Sequence, residues 1–103
     1  MSVITVTKEN FNEIIKSEKP VLLDFYADWC GPCRMVAPIV HEIAEENDSV
    51  VVAKINVDNE PDLAMKFGVM SIPTLVVMKN GEEVNRATGA RSKPQILQML
   101  GLY

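Results

Sequence analysis

Apolar and polar positions follow two different rhythms along this chain, and the switches between them outline its elements. Val3–Val6 reads as a short strand. Thr7 stands where a helix N-cap belongs, ahead of Phe11, Ile14 and Ile15 at i, i+3 and i+4. Pro20 opens the run Val21–Ala27, whose nearly continuous apolar character predicts a strand covered on both faces, as in a parallel sheet. A helix is expected from near Cys30 to about Asn47, with Val36, Ile39, Val40, Ile43 and Ala44 as its apolar stripe. Glu42, Glu45 and Glu46 make its wet side. Pro38 falls inside this pattern and predicts a kink, because it lacks an N–H for the helical ladder. Val50–Val57 reads as the third strand, and Asp58 or Asn59 is placed to start a short helix through Pro61–Phe67 that Gly68 ends. Leu75–Met78, Asn80-Gly81 and Glu83–Thr88 spell a hairpin with a type I′ turn. Ser92-Lys93-Pro94-Gln95 is a capping-box pattern ahead of Ile96, Leu97, Met99 and Leu100.

The order β-α-β-α-β-α-β-β-α combines parallel crossovers with an antiparallel hairpin. It predicts an α/β fold with a mixed central sheet of about five strands flanked by about four helices. Nothing repeats and no linker interrupts the pattern, so residues 1–103 are expected to form one domain. With 48% hydrophobic and 23% charged residues, the chain has enough apolar surface to fold, which excludes intrinsic disorder. The longest apolar runs, Val50–Ala53 and Leu75–Met78, have four residues each. A membrane-spanning helix needs about 20. The net charge is -4 and the ten basic residues are scattered, leaving no patch for a phosphate backbone, so neither nucleic acid nor membrane is an expected partner. The first residues show no basic stretch followed by a long apolar one, which predicts a cytoplasmic protein, by default a monomer.

In that compartment a purely structural disulfide is out of place. Yet both cysteines sit in one C-x-x-C, Trp29-Cys30-Gly31-Pro32-Cys33, between a buried strand and a helix. Side chains at i and i+3 of a helical turn lie about 5–6 Å apart, close to disulfide range. Cys30 would stand at the helix N-terminus, where unpaired N–H groups and the dipole favour a thiolate. Cys33 would lie one turn inside, shielded, and ready to attack a mixed disulfide formed at Cys30. Gly31 and Pro32 shape the loop. A structural brace closing so short a loop restricts the unfolded chain by only roughly 2 kcal/mol. Zinc needs four ligands, and the single histidine, His41, lies about 12 Å beyond Cys33 along a continuous helix, leaving only a dimer-bridging site. Dithiol–disulfide chemistry is the better reading, and a C-x-x-C near a βαβ pattern is a known mark of a thioredoxin-like redox motif.

The segment Phe25-Tyr26-Ala27-Asp28-Trp29-Cys30-Gly31-Pro32-Cys33-Arg34-Met35, followed by Ala37-Pro38, resembles the active-site segment of the thioredoxin family. Ser71-Ile72-Pro73-Thr74-Leu75 resembles its cis-proline segment, and Lys79-Asn80-Gly81-Glu82 with Gly89-Ala90 its hairpin and following glycine loop. The resemblance covers essentially the whole chain in the right order. It implies the thioredoxin-like fold and a general protein-disulfide reductase, with Cys30 as nucleophile and Cys33 as resolving thiol. It also implies thioredoxin reductase as electron donor, many disulfide-containing proteins as substrates, and no bound cofactor beyond the redox-active cysteine pair. Tyr26 stands where many thioredoxins carry another Trp, and Met70-Ser71 falls on ground that varies in the family. Two other readings are a disulfide oxidant or isomerase on the same fold, and a non-catalytic docking subunit. The Gly-Pro dipeptide between the cysteines argues against the oxidant.

Asp24 interrupts an apolar strand just before the cysteines. Either it lies hydrated at a strand edge, or it is buried with a raised pKa and moves the Cys33 proton. Thioredoxins bury an Asp at this position, which implies the second role. Lys54 reads as a snorkelling lysine or as an electrostatic partner of Asp24, and the resemblance implies the partner. It further implies a cis Ile72-Pro73 bond facing the cysteines, with the Ile72 backbone left free to pair with an extended substrate segment. Trp29, Ile72, Pro73, Gly89 and Ala90 are the expected docking surface, with Met35 and Met70 as possible flanks. The other methionines read as core filler.

Overall fold

A computed structural model describes residues 2–102. Its elements run β1 (Ile4–Thr5), α1 (Phe11–Ile15), β2 (Val21–Tyr26), α2 (Gly31–Glu46), β3 (Val51–Asn56), α3 (Pro61–Lys66), β4 (Thr74–Lys79), β5 (Glu82–Thr88) and α4 (Lys93–Met99). The five strands form one mixed sheet in the order β1-β3-β2-β4-β5. β3 is parallel to both β1 and β2, and β4 is antiparallel to β2 and β5. The α/β architecture is the one the hydrophobic pattern predicts. Among the described residues no helix is long and apolar enough to cross a membrane.

β2 lies at the centre of the sheet, and its side chains alternate between two cores. Leu22 packs with Val36, Val40, Ile43 and Ala44 of α2 and Ile96 of α4. Val21, Leu23 and Phe25 pack on the other face with Phe11 of α1 and Leu63 of α3. Each fully buried side chain of this size contributes about 1.5–3 kcal/mol. The Phe67 ring meets Phe11 edge-on at 5.7 Å and Phe25 at 5.2 Å, fastening α1 and the end of α3 to the sheet. The same alternation puts Asp24 on the α2 face, where an apolar residue would be expected.

Several local signals act as read. Cys30 caps α2, Asn80 and Gly81 both have positive φ as a type I′ turn requires, and Ser92 and Gln95 form the full capping box. α2 runs on through Pro38, which costs the Arg34 carbonyl its i+4 donor on an exposed face.

Two cap assignments differ. Thr7 does not cap α1 with its side chain. The Asn10 amide instead accepts from the Thr7 N–H at 2.8 Å and donates to the Thr5 carbonyl, so a turn precedes the helix. Neither Asp58 nor Asn59 caps α3, whose N-cap is Glu60. The Asp58 and Asn59 N–H groups are taken by Asn56 Oδ1 at the end of β3, and this short-range competition delays the helix.

Candidate active site

The C-terminal ends of β2 and β3 lie side by side because the strands are parallel, pairing Tyr26 with Asn56. The loop after each strand therefore reaches one edge of the sheet. Trp29 sits on the first loop, 68% exposed, and its indole N–H donates to Asp58 on the second at 2.9 Å. The Arg34 guanidinium donates to the Asp28 carbonyl at 2.9 Å and steadies the approach to the cysteines.

Cys30 and Cys33 form a disulfide with their Cα atoms 5.3 Å apart. Both residues are buried, at 5% and 3% exposure, so Cys30 shows substrates only a small sulfur face. Cys30 Sγ accepts from the Cys33 N–H at 3.2 Å. Gly31 and Pro32 occupy the exposed first turn, where Pro32 breaks no helical hydrogen bond. The N-terminal field of a 16-residue helix thus bears on the Cys30 sulfur and favours its anion when the pair is reduced.

Ile72-Pro73 is cis. The Ile72 carbonyl oxygen lies 3.8 Å from Cys30 Sγ. Thr74 Oγ1 donates to the Ser71 carbonyl at 2.6 Å, and the Gly89 N–H donates to the Pro73 carbonyl at 2.8 Å, tying the loop to the start of the hairpin. Between this loop and the cysteines runs an open groove of about 520 Å³, lined by Trp29, Cys30, Val57, Val69, Met70 and Ile72 among others. Met70 is 95% exposed at its rim. Gly89 and Ala90 do not line the groove. Gly89 acts on it through Pro73, while Ala90 and Met35 belong to a separate depression with Arg91.

Asp24 is buried on the inner side of the disulfide, and its Oδ1 has no hydrogen-bond partner in the protein. Burial pushes the carboxyl up from 3.8 to about 7, and the charge of Lys54 pulls part of the way back. Lys54 is the in-register neighbour of Asp24 on β3, half-buried with its ammonium 5.8 Å from the Tyr26 ring centroid. Its positive charge is the one that lowers the Asp24 pKa. A smaller pocket joins Asp24, Lys54, Tyr26 and Cys33. Among the described residues no group of three or more His, Cys, Asp or Glu side chains is placed to hold a metal.

Sequence reasoning missed Asp58, Val57 and Val69 as parts of the site. The signal for the first two was topological: residues that follow adjacent parallel strands meet at the same sheet edge.

The arrangement matches known proteins throughout. The family profile described as Thioredoxin covers residues 2–101. Thioredoxin from Pyropia yezoensis is 50% identical over the full chain and 98% of its own length. Thioredoxin from Alicyclobacillus acidocaldarius is also 50% identical, covering 90% of each chain. A Mycobacterium leprae protein named bifunctional thioredoxin reductase/thioredoxin is 47% identical over 87% of this chain, which spans 20% of that longer protein. The solved structure of a mutant thioredoxin from Halobacterium salinarum is similar at a TM-score of 0.91 and 36% identity, covering 99% of this chain and 90% of that one. Sequence, fold and a cysteine pair at disulfide distance agree: the chain belongs to the thioredoxin family and is a protein-disulfide reductase that carries its electrons in the Cys30–Cys33 pair.

Proposed function

We propose that the reaction is divided among the site residues as follows. In the reduced protein the Cys30 thiolate attacks one sulfur of a substrate disulfide. The substrate S–S bond breaks, its electron pair leaves with the second substrate sulfur, and a mixed disulfide remains on Cys30. Asp24 accepts the Cys33 proton, and the Cys33 thiolate attacks Cys30 Sγ. That step forms the intramolecular disulfide and releases the other substrate sulfur as a thiolate that takes a proton. The observation that carries this reading is the placement of the pair: Cys30 faces the groove at a helix N-terminus, while Cys33 shares a pocket with a buried carboxyl. Lys54 keeps Asp24 within reach of ionisation near neutral pH.

Substrates in this reading are proteins that lay an extended, disulfide-bearing segment in the groove beside Trp29 and the Pro73 loop. The Ile72 backbone, outside any strand, supports strand-like pairing with such a segment, a mode that tolerates many sequences. Gly89 and Ala90 extend the surface beyond the Pro73 loop. We assign recharging of the disulfide to a thioredoxin reductase, supported by the relative that carries both names in one chain. The working place is the cytoplasm, where a reducing environment keeps the pair as a dithiol. One domain of residues 1–103 carries the dithiol–disulfide exchange with substrate.

The test is the equilibrium reduction potential of the pair, titrated against a thiol/disulfide buffer and read by Trp29 fluorescence. A value close to that of thioredoxin, about −270 mV, is expected, against about −120 to −180 mV for dedicated oxidants and isomerases. A value in the second range overturns the direction of electron flow. Replacing both cysteines by Ser abolishes reduction in this reading, whereas retention of biological function by that variant would mark a docking subunit.

A further inference from the structure

Among the described residues no charged side chain lines the groove beside the disulfide. Trp29 and Met70 are the exposed large apolar side chains that share it, whereas the exposed Met35 and Met65 do not line it. The backbone is tied on both sides of Met70. Before it, Gly68 turns at φ +64 and the Val69 N–H donates to the Ala64 carbonyl at 2.9 Å, closing off α3. After it, the Ser71 carbonyl accepts from Thr74 Oγ1, across the cis Ile72-Pro73 bond. A 95%-exposed thioether therefore stands on a held backbone, two residues before Ile72, whose carbonyl oxygen lies 3.8 Å from Cys30 Sγ.

At that exposure the Met70 side chain adds almost nothing to the core, and its apolar surface is free for a substrate. An unbranched, polarizable side chain with three rotatable bonds adapts to many apolar partners, which suits a groove that receives different proteins. The same sulfur is open to two-electron oxidation. Oxygen transfer turns the apolar thioether into a polar, chiral sulfoxide, and methionine sulfoxide reductases reverse the change. Such a change falls where the substrate docks and leaves the exchanging sulfurs untouched.

We propose that Met70 is a specificity-determining contact for apolar side chains next to the substrate disulfide, and that its oxidation to the sulfoxide is a reversible brake on protein substrates. The oxidant is hydrogen peroxide. Its O–O bond breaks as a sulfur–oxygen bond forms on Met70. The thioether gives up two electrons, and the second peroxide oxygen leaves as water with both protons. A docked apolar side chain then meets a sulfoxide oxygen that must shed its water to be covered, which disfavours docking. The role of Met70 rests on substrates lying in the groove between Trp29 and the Pro73 loop, the reading proposed above.

The experiment applies peroxide to the disulfide form, in which both cysteines are protected, and then restores the dithiol with dithiothreitol, which leaves the sulfoxide in place. After desalting, second-order rates with a protein disulfide and a small-molecule disulfide are read as substrate thiols released. Peptide mass spectrometry locates each sulfoxide, and every protein is compared with itself untreated. Treatment is expected to slow the wild type about fivefold on the protein disulfide and less than about twofold on the small one. Met35→Leu and Met65→Leu should lose as much as the wild type, and Met70→Leu should lose nothing on treatment. Two methionine sulfoxide reductases, one for each epimer, should restore the wild-type rate. An unchanged rate with Met70 found as sulfoxide overturns the proposal, as does a Met70 that stays reduced under peroxide that oxidises free methionine. Equal losses on both disulfides, or the same loss in Met70→Leu, place the damage elsewhere and overturn it too. Untreated Trp29→Ala separates the two readings. If it reduces the protein disulfide at the wild-type rate, the groove reading itself falls, whereas a slow Trp29→Ala beside a harmless sulfoxide sinks the role of Met70 alone.

Discussion

Replacing Asp24 by Asn removes the charge of a buried carboxyl while keeping its shape, and the effect on stability has a calculable size. Asp24 is 3% exposed, one of its oxygens finds no protein partner, and its pKa stands at about 7 instead of 3.8. In the unfolded chain the carboxyl ionises at its ordinary value, so between about pH 4 and 7 the folded state binds more protons than the unfolded one. Stability therefore falls as pH rises across that window, and stops falling once the folded carboxyl has ionised. A shift of roughly three units at 1.36 kcal/mol each gives about 4 kcal/mol. Whole domains have about 5–15 kcal/mol, so the term is large. Asp24→Asn should match the wild type within about 1 kcal/mol at pH 4, where both side chains are neutral, and exceed it by about 4 kcal/mol at pH 8.5. Urea unfolding of the oxidised proteins, followed by far-ultraviolet circular dichroism at both pH values, measures the difference directly. An advantage that stays the same at both pH values would refute the reasoning. So would a wild type that gains on the variant as pH rises, because the ionised carboxylate would then be the favoured folded form.

Three further outcomes are expected. Cys33→Ser should arrest the reaction at the mixed disulfide, giving a covalent Cys30–substrate adduct by mass spectrometry; free turnover by this variant would reverse the roles of the two cysteines. Trp29→Ala removes a 68%-exposed apolar face beside the groove and should lower kcat/KM for a protein disulfide about tenfold, with little change for a small-molecule disulfide. Gly89 has φ +94 and donates to the Pro73 carbonyl, so Gly89→Ala should cost about 1–2 kcal/mol in urea unfolding, and an unchanged midpoint would show that the backbone adapts freely there.

The signals legible in the sequence were those whose causes are local. Cys30 at the helix start, Asn80-Gly81 in the hairpin and Ser92 with Gln95 each act within four residues of chain, and each does in the structure what its residue type suggests. The two misplaced caps failed for an equally physical reason. At Thr7 and at Asp58-Asn59 a neighbouring asparagine, Asn10 or Asn56, claims the backbone N–H groups first, and a list of capping residues does not rank such competitors.

Asp24 also shows why pattern reasoning breaks where chemistry is done. Every other fully buried position of β2 is apolar, and the alternation demands the same at residue 24. The fold tolerates the exception because the cost depends on ionisation, and a carboxyl that can hold its proton escapes most of it. That freedom is also what the proposed proton transfer requires, because a carboxyl with a pKa of about 7 is present in both forms near neutral pH. Burial alone would push the Asp24 pKa higher still, and the Lys54 charge restrains the shift. A substitution that removes the Lys54 charge while keeping its stem, Lys54→Met, therefore raises the Asp24 pKa and moves the acid side of the rate profile upward. The loss of stability with pH should extend to higher pH in the same variant, because one carboxyl governs both.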